Sequence, residues 1–86
     1  MEQIENINEN EKFNYMLLSR LQNDCKYFLG FGNGLEKYLW AGTVEEHIEE
    51  MEKLYNNLAI KPEWITEEDI QKYKINMYKM KLEKTS

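Results

Sequence analysis

The chain has 86 residues, of which 42% are hydrophobic and 13% aromatic, and it carries a net charge of −5. This composition argues for one small folded domain, while the acidic balance opposes general attraction to nucleic acid or anionic membranes. One cysteine forms no intramolecular disulfide, and no apolar run approaches the roughly 20 residues that span a bilayer. The first residues lack the basic and apolar regions of a secretory signal. We therefore expect a cytoplasmic protein without membrane association.

The first predicted element is a helix from about Glu9 to Leu29, and residues 1–8 are expected to form a flexible acidic leader. Apolar residues recur along this helix at intervals of three and four, the spacing that keeps side chains on one face. These residues are Phe13, Leu17, Leu21, Cys25 and Phe28, with Leu18 beside them. We expect this face to contribute to the core.

A glycine-rich turn, "GFGNG" at residues 30–34, ends the first helix because glycine and asparagine tolerate left-handed backbone conformations. It does not match a phosphate-binding loop: Leu35 stands where a dinucleotide fingerprint requires its third glycine, and no Gly-Lys-Ser/Thr is present. A short connector, "LEKYLWAG", follows the turn. We expect four side chains to fold back over the helices as a cap, namely Phe31, Tyr38, Leu39 and Trp40.

A capping box of Thr43 and Glu46 predicts that a second helix begins at Val44, and the apolar pattern ends it near Asn56 or Asn57. Its core face is predicted to contain Val44, Ile48, Met51, Leu54, Tyr55 and Leu58.

A similar capping box, Thr66 with Asp69, predicts a third helix. Its core face is predicted to contain Ile70, Tyr73, Met77 and Met80. Because the connections are short, consecutive helices should pack as neighbours. The predicted fold class is all-α: a compact three-helix domain over residues 9–82, followed by a flexible tail at 83–86.

Residues suited to catalysis or metal binding are sparse. His47 is the only histidine, and its neighbours match no metal-binding spacing, so we predict a histidine at the boundary of the core. Cys25 lies on the predicted core face, where a free cysteine usually behaves as a small hydrophobic residue. We therefore predict no catalytic residue, no metal and no cofactor, and a protein that is not an enzyme.

The second helix carries a group of carboxylates that allows two interpretations. One is an ordinary solvated face, favoured by the helix dipole; the other is a docking surface for a basic partner. The group consists of Glu45, Glu46, Glu49, Glu50 and Glu52.

The third helix interleaves lysine and tyrosine, a composition that also occurs in nucleic-acid-binding strips. Lys72 and Lys79 are predicted to lie opposite the core face, and Lys74 and Lys81 to flank it. The positive charge would then surround the helix instead of forming one stripe. Nucleic-acid binding stays an alternative to protein binding.

The candidate partner-binding residues combine aromatic bulk with polar groups, as hot spots of protein interfaces do. They are Arg20, Tyr27, Phe31, Tyr38 and Trp40. Two simpler interpretations stay open: the aromatic residues cover the core, and Arg20 forms an ion pair with Asp24. The exposed aromatic residues also leave open a homodimer.

Four stretches, in this order and spacing, resemble the large polyvalent protein associated domain of the eleventh type: "FNYMLLSRLQNDCKYFLG", "GNG", "EKYLWAG" and "KPEWIT". The resemblance covers roughly Lys12 to Met77. It implies a setting in phages and in integrative or conjugative elements, and it brings no assigned catalytic residues. Family members often carry histidine where this chain has Tyr38, so the resemblance implies no histidine-dependent chemistry at that position.

The expected function is that of a small non-enzymatic interaction protein of a phage or other mobile genetic element, which binds a protein partner. A narrower hypothesis is a counter-defence, anti-CRISPR-like inhibitor that obstructs a nucleic-acid channel with its acidic helix. The alternatives are a nucleic-acid-binding accessory factor that uses the third helix, and an enzyme with a cofactor or an oligomeric active site.

Overall fold

The computed structural model describes residues 9–85, and within that range the chain is all-α. Its helices are α1 (Glu9–Leu29), α2 (Val44–Asn57) and α3 (Glu67–Thr85), with a short 3₁₀ turn at Glu36–Tyr38 between α1 and α2. The predicted fold class is confirmed. The predicted leader lies outside the described residues, and residues 83–85, predicted as part of the tail, continue α3. Within residues 9–85, no helix has both the length and the apolar character to cross a membrane.

Local hydrogen bonds fix the beginnings of α2 and α3. The Glu46 N–H donates to Thr43 Oγ1 over 3.1 Å, as the capping box predicts. The Glu46 carboxylate lies 3.3 Å from the same hydroxyl, which donates to it. At α3 the box is reciprocal: the Asp69 N–H donates to Thr66 Oγ1 and the Thr66 N–H donates to Asp69 Oδ2. Both helices thus begin at the residues that the sequence indicates.

Side chains from every helix and from the connectors form the core. Its buried apolar members are Leu18, Leu21, Cys25, Phe28, Leu39, Val44, Ile48, Met51, Leu54, Leu58, Ile65, Ile70 and Met77. Polar bonds on the surface link α2 and α3 along their length, from Gln71 Nε2 to Glu52 Oε2 over 2.8 Å and from Lys81 Nζ to Glu45 over 3.0 Å. Because residue numbers rise on one helix as they fall on the other, α2 and α3 are antiparallel.

The prediction that Phe13 belongs to the core is wrong, since its side chain is 61% exposed. The cause is the spacing of the predicted stripe. Each step of four residues turns the stripe by about 40° around the helix, so Phe13 lies about 120° away from Cys25, three such steps later. The core instead faces Leu18, Leu21 and Cys25, which are fully buried.

The prediction of a boundary position for His47 is also wrong, because the side chain is fully buried. It lies one turn from both Val44 and Met51 on the same face of α2, and both neighbours are buried. Its Nε2 donates to the Leu21 carbonyl oxygen over 2.9 Å, which joins α1 to α2.

Candidate protein-interaction surfaces

The turn after α1 is rigidly held by its own backbone. The Gly32 N–H donates to the Tyr27 carbonyl over 2.6 Å, and the Gly34 N–H donates to the Phe28 carbonyl over 2.9 Å. Asn33 and Gly34 adopt left-handed conformations, with φ of 55° and 76°. A Cβ on Gly32 would lie 2.9 Å from both the Tyr27 ring and the Tyr27 carbonyl oxygen. The chain therefore needs glycine at position 32 to pass so close to α1.

This turn presents Phe31 to solvent, and the side chain is 93% exposed. Phe31 was predicted to fold back over the core, and that prediction is wrong. Its ring instead lies beside Tyr27 at a centroid distance of 6.5 Å. Tyr27 also contacts Tyr38 edge to face, with ring centroids 5.2 Å apart. We call Tyr27, Phe31 and Tyr38 the aromatic cluster.

Successive side chains of the connector between α1 and α2 point alternately to solvent and into the core. Leu39 is buried in the core, whereas the side chains of Tyr38 and Trp40 on either side of it are 42% and 50% exposed. The Trp40 N–H donates to Asp24 Oδ2 over 3.1 Å, which fixes this residue against α1. The cap predicted from the sequence is thus formed by Leu39, with Trp40 half covered.

The predicted partner-binding residues fall into two neighbouring groups. Tyr27, Phe31 and Tyr38 form the aromatic cluster, whereas Arg20 and Trp40 line a shallow groove together with Phe13, Met16 and Leu17. The alternative ion pair between Arg20 and Asp24 does not form; among the described residues, Asp24 instead holds the Trp40 backbone.

Sequence reasoning did not include Trp64 in the candidate surface. This side chain is 44% exposed. Trp64 and Trp40 line two different grooves that share Met16 and Arg20 of α1. Trp64 forms one wall of an open groove of about 510 Å³, which is lined by Tyr15, Met16, Ser19, Arg20, Asn23 and Trp64. Two hydrogen bonds hold the loop around it: Tyr15 Oη donates to the Ile60 carbonyl, and Gln22 Nε2 to the Trp64 carbonyl. The sequence offered one signal for this residue: the segment "KPEWIT" contains a tryptophan that belongs to none of the predicted core faces of the helices.

The five carboxylates of α2 do not form one surface. Glu45 pairs with Lys81 at 3.0 Å, and Lys81 keeps the pKa of this carboxyl below its ordinary value. Glu52 accepts a hydrogen bond from Gln71. The other three line a groove with Trp40 and Ala41, namely Glu46, Glu49 and Glu50. The predicted acidic docking face is therefore reduced to these three residues beside Trp40.

Lys81 occupies a structural position on α3. Its Nζ lies 3.1 Å from Glu36 Oε2 and 3.0 Å from Glu45 Oε2. These two contacts raise the pKa of Lys81, because both carboxylates favour its charged form. Lys72 and Lys79 are exposed and Lys74 is half-buried, as the helical pattern predicts.

The Cys25 thiol and the His47 ring lie inside the molecule. Burial and the nearby Asp24 charge raise the pKa of the Cys25 thiol to about 12, and its Sγ lies 3.4 Å from Met51 Sδ. Burial lowers the pKa of His47, whose Nδ1 has no hydrogen-bond partner among the described residues. Within residues 9–85, no three His, Cys, Asp or Glu side chains come together as a metal site would require. The exposed chemistry of this domain is aromatic and ionic.

In a comparison with known protein families, the model described as large polyvalent protein-associated domain 11 matches residues 11–77. The chain belongs to this family. The resemblance identified in the sequence is thereby confirmed. Comparisons with curated proteins and with solved structures give no match.

The region matched to large polyvalent protein-associated domain 11 contains every residue of the aromatic cluster, both tryptophans and the buried His47. It ends at Met77, before the last turns of α3. Lys81 therefore lies outside the part of this chain that matches the domain 11 family, whereas its partners Glu36 and Glu45 lie inside it.

Proposed function

We propose that this chain is a small non-enzymatic interaction protein of a phage or other mobile genetic element, and that it binds a protein partner through the aromatic cluster. The observation that carries this proposal is the 93% exposure of Phe31 on a turn held by backbone hydrogen bonds. Ordering a flexible loop on binding costs conformational entropy, and a turn that is already fixed avoids most of that cost. Phe31 is thus suited to insert into an apolar pocket of the partner.

The surroundings of Phe31 match the usual anatomy of an interface hot spot. Tyr27 and Tyr38 are 44% and 42% exposed; Tyr27 lies beside the Phe31 ring, and Tyr38 contacts Tyr27 edge to face. Lys37 Nζ lies 5.3 Å from the centre of the Tyr38 ring and adds a cationic group at the edge. Aromatic residues at the centre with charged groups at the rim are typical of surfaces that bind proteins.

Protein binding accounts for these contacts better than nucleic-acid binding does. A strip that binds phosphates needs several free cations; on α3, Lys81 is engaged by Glu36 and Glu45, which leaves Lys72 and Lys79 as its exposed lysines in the middle of the helix. The narrower hypothesis of a counter-defence, anti-CRISPR-like inhibitor depends on Glu46, Glu49 and Glu50, which would imitate a nucleic-acid backbone beside Trp40. It is supported by the charge of this groove.

A site-specific crosslink tests the proposal. A photoreactive phenylalanine analogue is placed at position 31, and in a separate protein at position 75, where Ile75 is 65% exposed on α3. After irradiation in the bacterial host, we expect one recurrent protein adduct at position 31 and none at position 75. Phe31→Ala should remove that partner from a native pull-down, while Ile75→Ala retains it. Equal adducts at both positions, or retention of the partner by Phe31→Ala, would contradict the proposal.

A further inference from the structure

A second surface, separate from Phe31, centres on Trp40. On one side of the indole lie three residues of α1 with exposed side chains, Phe13, Met16 and Arg20. On the other side lie the carboxylates of Glu46, Glu49 and Glu50 on α2. We call these seven residues the Trp40 surface.

The Trp40 surface has an apolar centre that the described chain leaves uncovered. Phe13 and Met16 are 61% and 66% exposed, and Trp40 is 50% exposed even though its backbone is fixed by Asp24. Large apolar side chains grouped around a half-exposed tryptophan are typical of surfaces that become buried in a complex.

The charges on the Trp40 surface indicate which binding partner would be complementary to it. Arg20 lies on the α1 side and has no carboxylate partner among the described residues, while the α2 side is acidic. A two-fold axis that lies in the contact plane, passes through Trp40 and runs between the α1 and α2 sides places the positive side of one copy against the negative side of the other, and it does so twice. A surface with opposite charges on either side of its centre is therefore complementary to itself.

We propose that the Trp40 surface binds a second copy of this chain, as a symmetric homodimer. Trp40, Phe13 and Met16 of the two copies form the apolar centre. Arg20 of each copy pairs with Glu49 or Glu50 of the other, and these rim pairs fix the orientation. A dimer built around an axis through α1 alone would instead place Arg20 against Arg20, which like-charge repulsion disfavours.

This inference does not depend on the proposed binding through the aromatic cluster, because the dimer leaves Phe31 unused. It does use Glu49 and Glu50, on which the counter-defence hypothesis also depends. The dimer presents two aromatic clusters, so a partner with two binding sites would be held more tightly than by one copy.

The oligomeric state is measured by sedimentation velocity over the full range of soluble concentrations. We expect a monomer–dimer equilibrium for the wild-type chain. Trp40→Ala should be monomeric throughout, with an unchanged circular dichroism spectrum that shows it is folded. A wild-type chain that stays monomeric at its highest soluble concentration would overturn the proposal, and so would a dimer that Trp40→Ala leaves intact.

A charge-exchange experiment tests the orientation. The variants Arg20→Glu and Glu49→Lys/Glu50→Lys should each be monomeric, because each places like charges together. An equimolar mixture of the two should dimerise, since every rim pair is then again of opposite sign. Lys79→Glu and Glu63→Lys/Glu68→Lys are controls with the same charge changes at exposed positions, and they should dimerise as the wild type does. A mixture that stays monomeric while the controls dimerise would overturn the proposed pairing.

Discussion

Asp24 on α1 holds the connector in place by accepting a hydrogen bond from the Trp40 backbone N–H, with 3.1 Å between nitrogen and oxygen. This bond fixes the Trp40 backbone against α1, and the Trp40 side chain lines a groove with Phe13, Met16 and Leu17. It also explains why the obvious helical partner of Asp24, Arg20, stays available at the surface. The same carboxylate thus holds the Trp40 backbone and forms no ion pair with Arg20.

Removal of this bond is expected to loosen Trp40. Asp24→Ala should lower the free energy of unfolding by about 1 kcal/mol, the usual net value of such a bond. It should also shift Trp40 fluorescence to longer wavelength, measured in a Trp64→Phe background so that one indole reports. Asp24→Asn retains an acceptor oxygen and should shift less. Lys26→Ala, at an exposed position nearby, is the control, and a shift as large as that of Asp24→Ala would contradict this assignment.

The turn that presents Phe31 is expected to tolerate a methyl group at one glycine and not at another. Gly32→Ala should lower the free energy of unfolding by about 1–3 kcal/mol, because its Cβ would lie 2.9 Å from Tyr27 atoms. Gly30→Ala should cost less, since its Cβ would meet only the Lys26 carbonyl oxygen, at 3.3 Å. Urea denaturation of both variants measures the difference. Equal losses would show that the close approach at Gly32 is unimportant.

The stability of the fold should depend on pH through His47. Burial lowers its folded-state pKa below the ordinary 6.5, so the unfolded chain takes up a proton first as the pH falls. The contribution of neutral His47 to the free energy of unfolding is therefore fully present above about pH 7. Below about pH 6.5 the free energy of unfolding decreases, by at most about 1.4 kcal/mol per pH unit.

Urea denaturation between about pH 7.5 and about pH 5.5 measures this dependence on His47. His47→Gln keeps an N–H for the Leu21 carbonyl oxygen but does not titrate, so its stability should change less over this interval. Identical slopes for the wild type and the variant would exclude His47 as the source.

Glu36 is expected to stabilise the start of α2 in two ways. Its Oε2 accepts a hydrogen bond from the Val44 N–H over 2.8 Å, and the same oxygen lies 3.1 Å from Lys81 Nζ. Glu36→Gln removes the charge from both contacts, so the variant should be less stable at low salt. The difference from the wild type should decrease as sodium chloride is added, because salt screens charge pairs near the surface. A difference that is independent of salt would show that neither charge matters. Glu63→Gln, at an exposed position, is the control.

The helices could be predicted from sequence because their signals are local. Thr43 and Thr66 lie within three residues of the groups they bond, so the sequence contains the whole capping arrangement. Glu36 caps α2 from eight residues away and also reaches Lys81 on α3, and no local pattern indicates such a bond.

The candidate site could be predicted only in part, because exposure depends on what lies opposite a residue. Periodicity placed Phe13 on the core face, yet the steps of four residues had already turned it away from Cys25. Phe31 looked like part of a cap, but the close passage of Gly32 over Tyr27 directs its ring outward. The sequence indicated that aromatic residues gather here, and the backbone of the turn determines which of them a partner can reach.

The alternation at Leu39 has a consequence for how related chains can diverge. This residue anchors the connector in the core, while Tyr38 and Trp40 on either side of it point largely outward. Selection for a new binding specificity can therefore act on the two flanking positions without disturbing the anchor. Among homologues, we expect an invariant aliphatic residue at position 39, beside a position 38 that accepts different side chains.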